Sequence, residues 1–239
     1  MIVAMTTWAI IPVKRLNEAK SSLSESLNPK GRRGLVLAML ADMLSAVKKA
    51  PSIFGTAVVC QDKGVLDFAR LNGAVGMVEQ KRGLNGALKM AIKRAMTLGA
   101  TAVLLLPGDI PLLRAADVEN IVSMATSARD VVIAPSKANG TNALFLRPPD
   151  VMDLKFGGES FPLHVAEAMR AGIRPRIYRS TTVAFDIDEP EDLLKMEILG
   201  PGTKTGQFLH SQDKSRPYLR RKYIPKTISS SVQKRRTAR

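Results

Sequence analysis

An aspartate that directly follows an apolar run is the residue of this chain best placed to do chemistry. Residues 101–106 are apolar after the first one, which predicts a strand buried on both faces of a sheet. Asp109 lies in the loop that follows, and the carboxyl ends of parallel strands line the ligand crevice of α/β sheets. Its carboxylate is therefore predicted to hold Mg²⁺, which would bridge the oxygens of a nucleoside triphosphate. The alternative is a plain turn, because the flanking proline and glycine residues favour turns, as aspartate itself does.

A second acidic run begins at Asp186 and supplies further carboxylates. Asp186 and Asp188 alternate along an extended segment, so their side chains are predicted to point to opposite sides. One of them can face the crevice and complete a divalent-metal site with Asp109, whereas Asp188 can instead cap the helix that follows it. The chain has two histidines and one cysteine, so a His/Cys zinc site is hard to assemble. Any metal would be a hard cation held by carboxylates.

Two further loops carry residues that suit phosphates. Lys14, Arg15 and Lys20 follow the first predicted strand, where basic side chains can meet phosphate oxygens, although lysines in a loop are more often simply solvated. The run from Gly83 to Gly86 opens a predicted helix, so its backbone N–H groups are available to a nucleotide. The loop that carries Lys14, Arg15 and Lys20 is not a Walker loop, because the glycines of that motif are absent.

A third group of residues suits a small anion. Thr141 and Ser160 offer hydroxyl groups, and Gly157 and Gly158 leave backbone donors open. Ser160 is equally suited to be the N-cap of the helix that begins after it, and one residue can serve both purposes. His164, on that helix, is interpreted as an ordinary core or surface histidine rather than a catalytic one. No Ser/His/Asp arrangement supports hydrolase chemistry.

Strands and helices alternate along the chain, and this order is typical of a three-layer α/β fold with a parallel or mixed sheet. Asn28 followed by Pro29 marks the start of the first long helix, because asparagine caps helices and proline suits their first position. The predicted helices are 29–49, 64–71, 84–98, 115–127, 161–171 and 189–199. The predicted strands and extended segments are 8–13, 57–60, 75–78, 101–106, 131–134, 143–146, 176–178 and 183–185.

The composition predicts one globular domain and a basic tail. The chain has 239 residues and a net charge of +15, and residues 200–239 hold 11 of its 36 Lys/Arg but one of its 21 Asp/Glu. That segment lacks periodicity, so a domain at 1–199 and a disordered tail at 200–239 are predicted, with a weak helix signal from Tyr218 to Tyr223. The tail could bind nucleic acid weakly. Cys60 is interpreted as core filling, and a lone thiol with no apolar span or signal segment predicts a cytoplasmic protein.

Seven short motifs, spread over residues 7–199, occur in an order that resembles one family. These motifs resemble the 2-phospho-L-lactate guanylyltransferases, which act in biosynthesis of the deazaflavin coenzyme F-420. That family is similar in fold to the molybdenum-cofactor guanylyltransferases and the sugar-nucleotide pyrophosphorylases. The motifs are Pro12-Val-Lys14, Ala19-Lys20-Ser21, Gly83-Leu-Asn85, Leu106-Pro-Gly-Asp-Ile-Pro111, Asn139-Gly-Thr141, Phe156-Gly157 to Ser160, and Asp186-Ile-Asp-Glu-Pro-Glu-Asp-Leu193.

The resemblance implies a three-layer, Rossmann-like nucleotide-diphospho-sugar transferase fold and attack by an acceptor phosphate on the α-phosphorus of GTP, with release of pyrophosphate. It also implies a role for each site residue. The catalytic residues would be Asp109, Asp188 and Lys20. Mg²⁺ would be held by Asp109 and Asp188, with Asp186 as a possible third ligand. The nucleotide would be bound by Lys14, Lys20, Gly83, Leu84 and Asn85, and the carboxylate and phosphate of the acceptor by Thr141, Gly157 and Ser160.

Four points stay open. The acceptor is expected to be 2-phospho-L-lactate, and phosphoenolpyruvate or 3-phosphoglycerate would differ from it by one double bond or one hydroxymethyl group. Ser22 stands where the family usually has an arginine, so one phosphate contact is missing or comes from Arg15. A homodimer is implied by the resemblance alone. A different class of hypothesis makes this a nucleic-acid-associated protein that acts through its tail.

Overall fold

The computed structural model describes residues 5–16, 19–80 and 83–212, and a mixed β-sheet forms the centre of this part of the chain. The sheet has seven strands in the order β3-β2-β1-β4-β6-β5-β7. Their bounds are β1 Thr7–Pro12, β2 Ile53–Cys60, β3 Val75–Val78, β4 Ala102–Leu105, β5 Asp130–Pro135, β6 Thr141–Arg147 and β7 Arg176–Ile177.

Helices connect most of these strands and cover both faces of the sheet. The helix bounds are α1 Pro29–Lys48, α2 Lys63–Leu71, α3 Leu84–Thr97, α4 Ala115–Ser123, α5 Ser160–Arg170, α6 Pro190–Leu199 and α7 Lys204–Ser211. A short 3-10 turn at Ser21–Leu23 follows β1. Asn28 caps α1, because its side chain accepts a hydrogen bond from the backbone N–H of Gly31 and Pro29 is the first helical residue. The predicted helix start is confirmed.

One strand of the sheet runs against the others. β1 pairs in parallel with β2 and β4, β2 with β3, and β5 with β7, whereas β6 is antiparallel to both β4 and β5. A direct hairpin links β5 to β6, so β6 starts at the edge of the sheet where β4 ends. The mostly parallel, mixed α/β sheet predicted from the sequence is confirmed. Its reversed strand brings the beginning of β6 next to the loop that carries Asp109.

The two faces of the sheet bury separate apolar cores, so the fold has three layers. Side chains of α1, α2, α4, α6 and α7 pack on one face, and those of α3 and α5 pack on the other. All four residues of β4 are buried, as expected for a strand covered on both sides. No helix within the described residues is long and apolar enough to cross a membrane.

Besides shifts in element bounds, the structure differs from the sequence-based expectation in two elements. Residues 183–185 form a turn and a loop rather than a strand, although the side chains of Val183 and Phe185 are buried. The segment after Gly200 was expected to be disordered, but α7 forms there. The weak helix signal from Tyr218 to Tyr223 lies outside the described residues.

Helix α7 is part of the folded unit because it packs against α1. Leu209 is fully buried, and the ring of Phe208 lies over Gly34, where a Cβ atom would meet it at 2.5 Å. The carboxylate of Asp42 accepts hydrogen bonds from the backbone N–H groups of Lys204 and Thr205 at 2.7 and 2.8 Å. These contacts between residues more than 160 positions apart explain why local periodicity missed the helix.

Candidate active site

A cavity of about 670 Å³ lies beyond the carboxyl ends of β1, β2 and β4. The loops that line it include most residues predicted to meet the nucleotide or a metal. Among its lining residues are Lys14, Lys20, Gly83, Leu84, Asp109 and Asp188. The position agrees with the general rule that ligands bind at the carboxyl edge of parallel strands.

Lys20 joins the two acidic segments at this cavity. Its ammonium nitrogen lies 2.7 Å from Oδ2 of Asp109 and 3.1 Å from Oδ1 of Asp188. The backbone of Lys20 adopts the left-handed conformation, with φ of 55°, which non-glycine residues rarely do and which tends to occur at functional sites. Burial acts to lower the pKa of Lys20, but the two carboxylates outweigh it and the pKa is raised. Lys20 is therefore a fixed cation at the centre of the site.

Backbone contacts hold Asp109 and the second acidic run together. The carbonyl oxygen of Asp109 accepts a hydrogen bond from the backbone N–H of Ile187 at 3.2 Å. Gly108 allows the loop to lie against the end of β1, because a Cβ atom there would be 3.0 Å from the carbonyl oxygen of Pro12. Ser22, the residue that departs from the family pattern, donates a hydrogen bond to the carbonyl oxygen of Asp188 at 2.6 Å. Its hydroxyl therefore also fixes the position of this acidic segment.

Asp186 and Asp188 lie in different environments: the side chain of Asp188 lines the cavity and is 52% exposed, whereas Asp186 is buried and does not face solvent. Burial raises the pKa of Asp186 to about 6, and the charges of Asp188 and Asp109 add to the effect. Its buried Oδ1 atom makes no hydrogen bond within the described residues. The nearest cation is Lys137, whose Nζ lies 3.6 Å from that oxygen. The cluster thus has more negative charge than the neighbouring lysines neutralise.

Asp188 does not cap α6, contrary to the alternative considered for it. Glu189 is the N-cap residue, and the carboxylate of Asp192 accepts hydrogen bonds from the backbone N–H groups of Asp188 and Glu189 at 3.0 and 2.9 Å. Lys137 in turn donates to Asp192 at 2.7 Å and to the carbonyl oxygen of Asp186 at 3.0 Å. Asp192 and Lys137 therefore hold the backbone of the acidic run and leave the carboxylate of Asp188 free to face Lys20.

The residues predicted to bind the acceptor form a second group. Ser160 donates a hydrogen bond to Oγ1 of Thr141 at 3.2 Å, and both residues are buried. Ser160 is the first residue of α5, with Glu159 as the N-cap, so the expectation that Ser160 caps the helix is wrong. Thr141 begins β6 and therefore lies at the edge of the sheet where β4 ends. Gly157 has φ of 132°, a conformation that favours glycine.

Asn85 is hydrogen-bonded to the residue before Gly157 and does not line the cavity. Its side-chain Nδ2 donates to the carbonyl oxygen of Phe156 at 2.9 Å, and its Oδ1 accepts from the backbone N–H of Phe156 at the same distance. Gly83 and Leu84, its neighbours in the same motif, do line the cavity. The Gly83–Asn85 motif is thus hydrogen-bonded to the loop that carries Gly157. The nucleotide-binding role predicted for these three residues stays a prediction.

Three residues at the site were not found from the sequence. Lys137 and Asp192 contact each other across 55 positions; Asp192 lies within the last of the seven motifs, but no local pattern pairs it with Lys137. His164 was interpreted as an ordinary core or surface histidine; it is buried, and no contact with Thr141 was predicted, although its Nδ1 lies 2.9 Å from Oγ1 of Thr141. One signal could have found it, because His164 follows Ser160 by four residues and therefore shares its helix face.

Comparison with solved structures assigns the fold. A protein from Desulfovibrio desulfuricans G20, described as a nucleotide-diphospho-sugar transferase, superposes with a TM-score of 0.75 at 19% identity, covering 92% of this chain and 99% of that one. A nucleotidyl transferase from Methanothermobacter gives a TM-score of 0.62 at 16% identity, covering 86% and 99%. Together with the acidic, lysine-bearing cavity, this defines a protein with the nucleotide-diphospho-sugar transferase fold.

Sequence comparison then gives the family. Residues 7–218 match the family model "Guanylyl transferase CofC like". A phosphoenolpyruvate guanylyltransferase of Rubrobacter xylanophilus is 44% identical over 197 residues, which cover 82% of this chain and 96% of that protein. A 2-phospho-L-lactate guanylyltransferase of Methanocaldococcus vulcanius is 37% identical over 203 residues, covering 84% and 89%. The chain belongs to this guanylyl transferase family, and it is a nucleotidyltransferase.

Proposed function

We propose that this enzyme transfers GMP from GTP to a small phosphorylated carboxylic acid and releases pyrophosphate, a step of coenzyme F-420 biosynthesis. The single observation that carries the proposal is the bridge from Lys20 to Asp109 and Asp188 at the cavity of about 670 Å³. Phosphoryl chemistry of this kind requires positioning and charge neutralisation more than a nucleophilic side chain. Among the residues that the structure describes, the site supplies fixed charges of both signs and no activated nucleophile.

Magnesium is the cofactor we assign to the carboxylates. Asp109 and Asp188, with Asp186 as a further ligand, offer oxygen donors only, which suits a hard cation. The buried Oδ1 of Asp186 makes no hydrogen bond among the described residues, and burial, with the charges of Asp188 and Asp109, raises the pKa of that carboxyl. A divalent cation would stabilise its charged form. Within the described ranges, no group of three or more His, Cys, Asp or Glu side chains is arranged to hold a metal ion. Bound Mg²⁺ would supply charge neutralisation for the triphosphate and the pyrophosphate leaving group.

The nucleotide is assigned to the cavity side of the site. Lys20, and the exposed Lys14 at the rim, present ammonium groups to the triphosphate. Gly83 and Leu84 lie at the start of α3, where backbone N–H groups and the helix dipole favour an anionic group. With a divalent cation held by Asp109 and Asp188, the ammonium of Lys20 would be available to the phosphates. Asn85 supports this loop through its hydrogen bonds to Phe156.

The acceptor is assigned to Thr141, Ser160 and the Gly157 loop, where hydroxyl and backbone N–H donors suit a carboxylate and a phosphate. We propose 2-phospho-L-lactate as the acceptor. Phosphoenolpyruvate is the second candidate, and the 44% identity to a guanylyltransferase named for that substrate favours it. 3-Phosphoglycerate is the third. These acids share their charges, so side-chain chemistry alone does not separate them. We also expect the enzyme to act in the cytoplasm as a homodimer.

A pyrophosphate-release assay tests the proposal, with GTP, ATP or CTP offered against each of the three acids in the presence of Mg²⁺. We expect release with GTP and one of the acids. Asp109→Asn should lower the rate by about two orders of magnitude or more, because a metal ligand contributes several kcal/mol of charge stabilisation. The matched control is Asp67→Asn, which changes an exposed aspartate on α2 whose partners are Lys63 and Arg70. Near-wild-type activity of Asp109→Asn would refute the assigned mechanism.

The alternative that the basic tail defines the function is separated by truncation after Gln212. That cut removes residues 213–239 and leaves α7 in place. We expect the shortened enzyme to release pyrophosphate at the rate of the full chain. Binding of RNA or DNA by the full chain, with no turnover of any nucleotide and acid pair, would favour the alternative instead.

A further inference from the structure

His164 is a buried polar residue with a hydrogen-bond partner on each ring nitrogen. Its Nε2 lies 3.0 Å from the backbone N–H of Lys155, which can only donate, so Nε2 must be the acceptor. Its Nδ1 lies 2.9 Å from Oγ1 of Thr141. Burial lowers the pKa of His164 to about 4, so the ring is neutral near pH 7. A neutral imidazole with an accepting Nε2 carries its proton on Nδ1.

This tautomer determines the role of the Thr141 hydroxyl. The Nδ1–H group of His164 donates to Oγ1 of Thr141, and the hydroxyl of Ser160 donates to the same oxygen at 3.2 Å. A hydroxyl oxygen has two acceptor positions and one hydrogen to donate. Both acceptor positions are therefore filled, and the hydroxyl hydrogen of Thr141 has no acceptor among the described residues.

We propose that His164 is a positioning residue that fixes the Thr141 hydroxyl as a hydrogen-bond donor to the anionic group of the acceptor acid. The inference rests on the proposed function, which places the acceptor at Thr141 and Ser160. The resemblance to known guanylyltransferases did not point to this histidine. The two filled acceptor positions mean that the hydroxyl cannot turn to accept from elsewhere, so the site is prepared for an anion before the acid binds.

A structural role for His164 exists beside this one and has to be separated from it. The ring of Phe156 packs edge-on against the imidazole with 4.7 Å between centroids, and the hydrogen bond to Lys155 holds the same loop. Loss of those contacts would disturb the loop whatever Thr141 does. The two ring nitrogens must therefore be tested one at a time.

Asparagine and glutamine separate the two nitrogens. The amide of His164→Asn reaches the position of Nδ1 and keeps a donor to Thr141, whereas His164→Gln reaches the position of Nε2 and keeps an acceptor for Lys155. We expect His164→Gln to raise KM for the acceptor acid by about tenfold, the value of one hydrogen bond to a charged group. KM for GTP should stay within about a factor of two in both variants. His164→Asn should restore most of the acceptor affinity. Equal acceptor KM in the Gln variant and the wild type would overturn the inference, as would a larger rise in the Asn variant.

A double-mutant cycle with Thr141→Val tests whether the two residues act as one unit. Thr141→Val keeps the size and removes the hydroxyl, so adding His164→Gln to it should change acceptor KM no further. Additive effects would contradict the proposal. If the wild-type enzyme turns over none of the three acids, the proposed function fails; if it turns one over and the cycle is additive, only this inference fails.

A spectroscopic readout keeps the test independent of variant folding. The chain contains two histidines, so His210→Gln leaves a single imidazole for nitrogen NMR. We expect the proton on Nδ1 of His164 and none on Nε2, with a change in the Nδ1 signal when the acceptor acid is added together with GTP. A proton on Nε2 would refute the inference.

Discussion

Removal of α7 should destabilise the enzyme, whereas removal of the basic segment after it should not. The perturbation is a pair of truncations, one ending at Gln212 and one at Gly200. Leu209 is fully buried, and deleting a buried leucine side chain costs about 3 kcal/mol. The shorter chain also loses the α7 backbone donors that Asp42 accepts, each worth about 1 kcal/mol. Part of this is offset because the removed helix no longer has to be ordered.

The difference in free energy of unfolding should therefore be about 3 kcal/mol between the two truncations. For a domain of this size that corresponds to a fall in Tm of about 10 °C, which circular dichroism on heating will measure. Leu209→Ala in the full chain is the matched point substitution and should account for most of the loss. Equal Tm values for the two truncations would show that the contacts of α7 with α1 contribute nothing, and the reasoning from burial would be refuted.

Two further predictions concern Asn85 and His164. Asn85→Ala should raise KM for the acceptor acid more than KM for GTP, because the amide of Asn85 is hydrogen-bonded to the backbone of Phe156 and does not line the cavity. Initial-rate kinetics with each substrate varied will measure both KM values. A selective rise in KM for GTP would contradict the prediction. His164, with its pKa lowered to about 4, should make stability fall as pH drops from 6.5 towards 4, because the unfolded chain binds a proton there and the folded chain does not. The full loss in the free energy of unfolding is about 3 kcal/mol. Denaturant unfolding of His164→Asn should show a free energy that depends less on pH between 6.5 and 4 than that of the wild type. The same pH dependence in both proteins would exclude a buried neutral histidine.

Local signals in the sequence were sufficient for most of the elements. The cap at Asn28 and the apolar run of β4 depend only on neighbouring residues, and both were predicted correctly. The position of Asp109 at the cavity was predicted correctly because its place after a buried strand is itself a local feature. The alternation of Asp186 and Asp188 predicted that one carboxylate faces the crevice, as Asp188 does, but it did not predict that Asp186 would be buried rather than exposed to solvent.

The features that sequence reasoning missed depend on contacts between distant segments. Lys137 reaches Asp192 across 55 residues, and α7 is stabilised by α1 rather than by its own periodicity. The hydrogen bonds of Asn85 to Phe156, 71 positions away, were likewise not predicted. Such partners become visible only once the sheet order is known, because the sheet determines which loops meet at its edge.

The paired hydrogen bonds between Asn85 and Phe156 also bear on the order in which the substrates bind. They join the loop at the start of α3 to the loop that carries Gly157. A ligand that orders one loop therefore also orders the other, and the second ligand then loses less conformational entropy when it binds. Thermodynamic linkage makes such an effect reciprocal: the factor by which GTP tightens the acid equals the factor by which the acid tightens GTP. Random addition with mutual synergy is then the kinetic scheme that this connection favours.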